Sequence, residues 1–159
     1  MPKTDDGFGF IVFARDDLSG WVEGRAIKTA NAKEVAKFIY EDIVCRHGCP
    51  QRIVLNRGSK NLNLMKDLLE HYRIKRMVVS AFHPQANGLV EWGHDSVVNS
   101  LSKYCSKDPG DWVKYLPLTL WADRISVRRS TGYSAFELDY GRDYLLPVEF
   151  ALESWSVVD

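Results

Sequence analysis

The stretch "QRIVLNRGSKN" (51–61) decides how the rest of the chain is read. Its "RIVL" (52–55) is a short apolar run of buried-strand type, and it stops at Asn56, where a polar turn begins. Thirty-five residues after Asn56, "FHPQANGLVEWGHD" (82–95) carries Glu91 near the start of a helix, behind a loop of turn formers. A strand end and a helix start of this kind can meet at the carboxyl edge of an α/β sheet, where ligands usually bind. Taken alone, a single Glu in a helix's first turn is more often a dipole partner than a catalyst.

Outward from this pair, the chain alternates between two hydrophobic periods. "GFIVFARDD" (9–17) reads as a strand, and Gly20 helps turn it into a second, "WVEGRAIK" (21–28). "NAKEVAKFIYEDIVCRHG" (31–48) reads as a helix capped by Asn31, with Glu34 three residues on. Its apolar stripe runs through Val35, Phe38, Ile39, Asp42 or Ile43, and Arg46, and Pro50 blocks continuation. A helix (62–72), a strand (75–80), the loop "AFHPQANG" (81–88) and a helix (89–105) follow. In that last helix Val90, Val97, Val98, Leu101 and Cys105 share a stripe. A long helix over 111–128 is expected to bend at Pro117, and 130–150 reads as an irregular but apolar tail. Hairpin, helix, strand, helix, strand, helix describes an α/β sheet with mixed strand directions. Residues 1–145 form the expected core domain and 146–159 a C-terminal extension.

Composition narrows the function classes. At 159 residues the chain is one domain long, enough to bury roughly two-thirds of its unfolded surface. Lys plus Arg and Asp plus Glu balance at 21 each, so nucleic-acid contact must come from a local patch rather than from net charge. No run approaches the ~20 apolar residues that span a membrane, and residues 1–10 lack a signal-type apolar run; the expectation is a soluble intracellular protein with no membrane partner. Cys45, Cys49 and Cys105 are too few and odd for a disulfide framework. "CRHGC" (45–49) could offer thiolates and an imidazole to zinc, but no second Cys/His pair stands at suitable spacing, so the helix-end reading is preferred.

"VLNRGSKN" (54–61), followed by the Glu of "HPQANGLVE" (83–91), resembles the integrase catalytic core of gypsy-type LTR retrotransposons and retroviruses. "DLSGW" (17–21) is similar to that family's second strand, and "RRSTGYSAFELDYGR" (128–142) to its C-terminal close, so the resemblance covers nearly the whole chain. It implies a ribonuclease H-like fold, a mixed sheet flanked by helices, and descent from polynucleotidyl transferases. Such enzymes hold two Mg²⁺ (or Mn²⁺) ions on three carboxylates, one ion activating the attacking oxygen and the other stabilising the leaving one. The family's second Asp maps onto Asn56 and its Glu onto Glu91, the remaining metal ligand.

The sequence departs from the family pattern. Asn56 is neutral where a carboxylate is expected, and the first Asp belongs to an opening strand that precedes the segment resembled by "MPKT" (1–4). Asp16 belongs to the second-strand word and reads as a residue that orders the following turn with Ser19. Lys60 stands where an acidic residue is common, and Trp92 where a basic one is usual. DNA contact depends on phosphate-binding groups and can outlive the chemistry. Its candidates are Arg57, Lys60, Lys75 and Arg76, with His83, Gln85 and Asn87 in the loop before Glu91. The cations Arg124, Arg128 and Arg129 could serve a helix end or DNA.

The reading is an integrase core impaired in catalysis. The alternative is a non-catalytic module that binds DNA or associates with other integrase cores. The family implies DNA partners (element ends and chromosomal target), self-association as a homodimer, and a nuclear location. Without its first strand, the central one, the sheet has two unpaired edges. Residues 1–159 by themselves are therefore expected to be marginally stable or to associate; sedimentation and thermal melting check this, and a sharply melting monomer contradicts it.

Overall fold

A computed structural model describes residues 1–55, 62–78, 95–106 and 108–146. Strands β1 (Phe10–Arg15) and β2 (Val22–Ile27) pair antiparallel, from Phe10 opposite Ile27 to Arg15 opposite Val22. The turn between them is tied by Asp16, whose Oδ2 accepts from the N–H groups of Leu18 and Ser19 and from the Ser19 hydroxyl at 2.7–3.1 Å. A carboxylate committed to three local donors orders a turn, as its sequence position predicts.

The period of two in β1 separates two cores. Ile11 and Phe13 pack with Val22, Val97, Leu101, Trp112, Leu116 and Leu120, while Val12 and Ala14 pack with Phe38, Ile39, Met65, Leu69 and Ile74. Gly24 makes the first core possible: a Cβ there would lie 2.9 Å from the Phe13 ring and 3.1 Å from Leu120.

The next helix changes its winding halfway. α1 (Ala32–Phe38) starts where Asn31 Oδ1 accepts the Glu34 N–H at 2.9 Å, then runs into a π-helical segment, Ile39–Val44, and a closing turn, Cys45–His47. The wider turn carries Ile43 and Val44 together into the second core and leaves the consecutive carboxylates Glu41 and Asp42 on one guanidinium, Arg25, each at 2.7 Å. The expected 3.6 stripe does not separate Asp42 from Ile43 there; the π turn does.

β3 (Arg52–Leu55) and β4 (Lys75–Val78) pair in parallel, Arg52 beside Lys75, joined across α2 (Leu62–His71). A helix over 95–104, which we call α3, buries Val97 and Leu101, with Cys105 just beyond it; Val98 of the expected stripe is half-buried, and Val90 lies outside the described residues. After a 3₁₀ turn, Pro109–Asp111, α4 (Trp112–Ile125) continues through Pro117. Fully buried Trp112 donates its Nε1–H to the Pro2 carbonyl at 2.9 Å, anchoring the N-terminal segment to α4. The strands thus form a mixed α/β arrangement of two separate two-stranded sheets, and among the described residues no strand joins β1 to β3.

One expectation is corrected. The tail read as irregular contains a helix, α5 (Ala135–Tyr140), closed by Gly141 in the left-handed conformation. Ser134 Oγ accepts the Glu137 N–H at 3.1 Å and the Glu137 carboxylate accepts the Ser134 N–H at 2.6 Å, a reciprocal cap that starts a helix too short to persist by propensity. The Ser134 side-chain and backbone bonds hold the Glu137 carboxyl below its ordinary value. The cap's electrostatic contribution is therefore complete above the ordinary carboxylate range and is lost as pH falls through the lowered folded value. Replacing Ser134 by Ala is expected to cost about 1 kcal/mol, measured by urea unfolding at neutral pH, and to flatten the acid limb of stability against pH.

Candidate functional site

The residues that sequence reasoning placed at the centre of the site, Asn56 and Glu91, lie outside the described residues, as do Arg57, Lys60, His83, Gln85 and Asn87. What is described is the pair of strands that precede them in sequence: β3 ends at Leu55 and its parallel partner reaches Val78. Both strands run toward the same edge, so their carboxyl ends lie together there.

Lys75 and Arg76 do not form one patch. Neighbouring strand residues point to opposite faces; Lys75 is exposed, and Arg76 is half-buried with its Nε sealed from solvent. The cation beside Lys75 is Arg52, exposed and in register with it on β3. Sequence reading missed Arg52 because it counted "RIVL" as an apolar run; only parallel register makes these two cations neighbours.

Among the described residues, the charged group buried most completely is elsewhere. Glu23 on β2 is 3% exposed, yet every hydrogen-bonding direction of its carboxylate is answered. Oε2 accepts from Arg124 Nη2 at 2.7 Å and Arg46 Nη1 at 3.0 Å, and Oε1 accepts from Trp21 Nε1 at 2.9 Å and lies 2.8 Å from His47 Nε2. Arg124 also donates to the Val22 carbonyl and stacks on the Trp21 ring, 4.7 Å from its centroid. Burial pulls the Arg124 guanidinium below its ordinary value, and Glu23 partly restores it. His47, the imidazole of the possible zinc motif, thus turns to Glu23, while Cys45 and Cys49 are exposed free thiols. Among the described residues, no group of three or more His, Cys, Asp or Glu side chains is placed to hold a metal ion.

A second ionic cluster closes the β1–β2 turn. Asp123 of α4 accepts from Arg15 at 2.9 Å and Ser96 Oγ at 2.6 Å, and Arg128 lies 3.5 Å away. The guanidiniums of Arg15 and Arg128 both donate to the Gly20 carbonyl, at 2.7 and 2.6 Å. At Gly20, φ is +75°, a backbone conformation that favours glycine, and a Cβ there would displace the Arg128 guanidinium from its bond to the Gly20 carbonyl. Arg124 and Arg128, read as possible DNA contacts, are therefore internal ties; Arg129 is exposed.

Comparison with known proteins gives this arrangement its context. The chain is 28% identical over 151 residues to a retrovirus-related Pol polyprotein from transposon 412 of Drosophila melanogaster, covering 94% of this chain and 12% of that protein. It is 30% identical over 142 residues to the Gag-Pol polyprotein of avian reticuloendotheliosis virus, covering 89% and 12%. Against that of feline leukemia virus it is 31% identical over 137 residues, covering 85% and 8%. The chain spans about a tenth of the length of each of these relatives. No protein-family model matches it. Among solved structures, it is similar to the catalytic core domain of BIV integrase, with a TM-score of 0.67 at 22% identity over 80% of this chain and 83% of that one. This chain is folded as an integrase core. It is also similar to a chain of the simian T-cell lymphotropic virus intasome, solved in complex with PP2A regulatory subunit B56 gamma, with a TM-score of 0.74 at 20% identity, covering 91% of this chain and 52% of that one.

In this integrase-core fold, Glu23 is the pin between β2, the end of the α1 run and α4. Its partners differ in exposure: the Arg124 side chain is 17% exposed and that of Arg46 48%. Glu23→Ala strands a buried guanidinium and is expected to cost about 3–5 kcal/mol. Arg46→Ala removes a half-solvated partner and is expected to cost about 1 kcal/mol or less. Urea denaturation of both variants checks the contrast; equal losses would contradict the assignment of Arg124 as the dominant partner.

Proposed function

We propose that this chain is an integrase core domain, 1–145 with 146–159 as a C-terminal extension, whose polynucleotidyl-transfer site is impaired by the amide at position 56. The observation that carries the reading is Asn56 itself, the residue that directly follows β3, set 35 residues before Glu91 in a chain with the integrase-core fold and Pol polyprotein relatives.

Charge is the physical reason. Paired Mg²⁺ or Mn²⁺ ions are hard cations that take oxygen ligands, and ionised carboxylates offset their mutual repulsion. An amide oxygen ligates but brings no charge. Asp16 does not make good the deficit, because its carboxylate is committed to Leu18 and Ser19 in the turn after β1. The donor set does not fit a two-metal centre. Loss of one carboxylate from such a site raises the barrier by several kcal/mol, roughly a thousand-fold or more in rate. The retained function is then DNA contact, with element ends and chromosomal DNA as substrates of the ancestral reaction, in the nucleus.

A second reading, a non-catalytic module that binds DNA or associates with integrase cores, draws support from the exposed, in-register pair Arg52 and Lys75. Removing one phosphate-binding cation lowers the slope of log K against log salt by about 1. Arg52→Ala with Lys75→Ala is expected to lower that slope by about 2 in fluorescence-anisotropy titrations of duplex DNA; an unchanged slope removes this face from the binding surface.

The decisive experiment is magnesium-dependent nicking and strand transfer on a labelled element end. The unaltered chain is expected to be inactive. Asn56→Asp, in a chain joined to an opening strand bearing the first Asp, is expected to regain activity that Glu91→Gln abolishes. Equal turnover by the Asn56 and Asp forms of the joined chain would overturn the assignment.

A further inference from the structure

α2 closes on a backbone conformation that suits glycine, yet an arginine holds it. Past the last turn, the Arg73 N–H donates to the Glu70 carbonyl at 3.0 Å and the Ile74 N–H to the Leu69 carbonyl at 2.7 Å. Ile74 and Leu69 are both buried in the second core, which fixes the exit of the chain. This pair of bonds needs a left-handed residue just past the helix, a place that favours glycine because it has no Cβ. Arg73 takes it at φ +55° and is the one non-glycine with positive φ among the described residues; α5, by contrast, closes through Gly141 at +64°. A residue held in a sparsely populated conformation points to a use for its side chain. Arg73 is exposed, and its guanidinium has no partner among the described residues. Arg15, Arg46, Arg124 and Arg128 are tied within the fold instead.

We propose that Arg73 is a phosphate-binding residue, the third member of a cationic row with Lys75 and Arg52 that holds the backbone of duplex DNA. Ile74 between them is buried and both neighbours are exposed, with the Cα atoms of Arg73 and Lys75 at most about 7 Å apart. Lys75 and Arg52 stand side by side across the parallel pair, roughly 5 Å apart. The row crosses the amino ends of β3 and β4, roughly 13 Å from the carboxyl ends of these four-residue strands. It is a contact zone separate from the carboxyl edge, and it supplies affinity without sequence preference. Glu70, the acid nearest to Arg73 in sequence, pairs with Lys66 at 3.6 Å. A cation past a helix C-terminus also offsets the helix dipole, a role in which its removal lowers stability. The inference rests on the DNA-contact reading above and adds to it a residue that the fold keeps at a cost.

The test compares the full 159-residue chain with Arg73→Gly, Arg73→Gln and, as a control, Lys114→Gln, which removes an exposed cation of α4. Each is titrated with duplex DNA by fluorescence anisotropy across about 50–200 mM salt, and each is unfolded in urea. Both Arg73 variants are expected to lower the slope of log K against log salt by about 1, and Lys114→Gln to leave it unchanged. Arg73→Gly is also expected to unfold at a higher urea concentration than the unaltered chain, so that binding falls as stability rises. The inference is overturned by an unchanged slope in either Arg73 variant or by an equal fall for Lys114→Gln. A lower urea midpoint for Arg73→Gly also overturns it, because the side chain then serves the helix end. A slope lowered by Arg52→Ala with Lys75→Ala but not by the Arg73 variants removes this inference and leaves the DNA reading standing. No binding by the unaltered chain removes both.

Discussion

Taking a carboxylate out of water is costly, and Glu23 meets that cost through the elements it joins. Trp21 is its near neighbour on the approach to β2, Arg46 and His47 come from the end of the α1 run, and Arg124 from the last turn of α4. The fold is ionically pinned where three elements converge, and the pin requires all of them in place. A buried charge stripped of partners is strongly destabilising, whereas a satisfied one constrains geometry more than it adds stability. The Asp123 cluster repeats this logic one strand-end away, drawing Arg15, Ser96, Arg128 and the Gly20 carbonyl together. Between them, the two clusters engage four guanidiniums, those of Arg15, Arg46, Arg124 and Arg128, as ties within the fold.

Those ionic ties hold the β1–β2 half of the molecule together, and nothing comparable spans to β3 among the described residues. The second core instead relies on apolar contact among Phe38, Ile39, Met65, Leu69 and Ile74, reached from β1 through Val12 and Ala14 and from β3 through Ile53 and Leu55. An apolar core is not directional, so it holds the two half-sheets near one another without specifying the hydrogen-bonded register that a continuous sheet would impose. Position 56, the residue of the proposed chemistry, directly follows β3 in sequence, and among the described residues β3 is paired on one edge only.

Much of this is legible in the sequence because it is local. The hairpin, the Asn31 cap, the Asp16 turn, the buried stripe of Val97, Leu101 and Cys105, and the break at Gly48 follow from residues within a few positions of one another. The helix at Ala135–Tyr140 is signalled too, by the Ser134 and Glu137 spacing, but it is short and set among turn formers that hide its capping box. The π-helical segment is visible only as an ambiguity between Asp42 and Ile43. Arg25, seventeen and eighteen residues before Asp42 and Ile43 in sequence, resolves it by pairing with Glu41 and Asp42.

The sequence by itself determined the order of elements, the α/β class, the resemblance to integrase cores and the neutral residue at 56, since propensity, period and residue identity are properties of short stretches. Tertiary structure alone decided which charges are internal and which face solvent. Arg124 and Arg128 turned inward, and Arg52 came to stand beside Lys75. The reason is range: a hydrogen bond to Glu23 from a guanidinium 101 residues away leaves no trace in local pattern, and two parallel strands acquire neighbours only when a crossover helix has set their register.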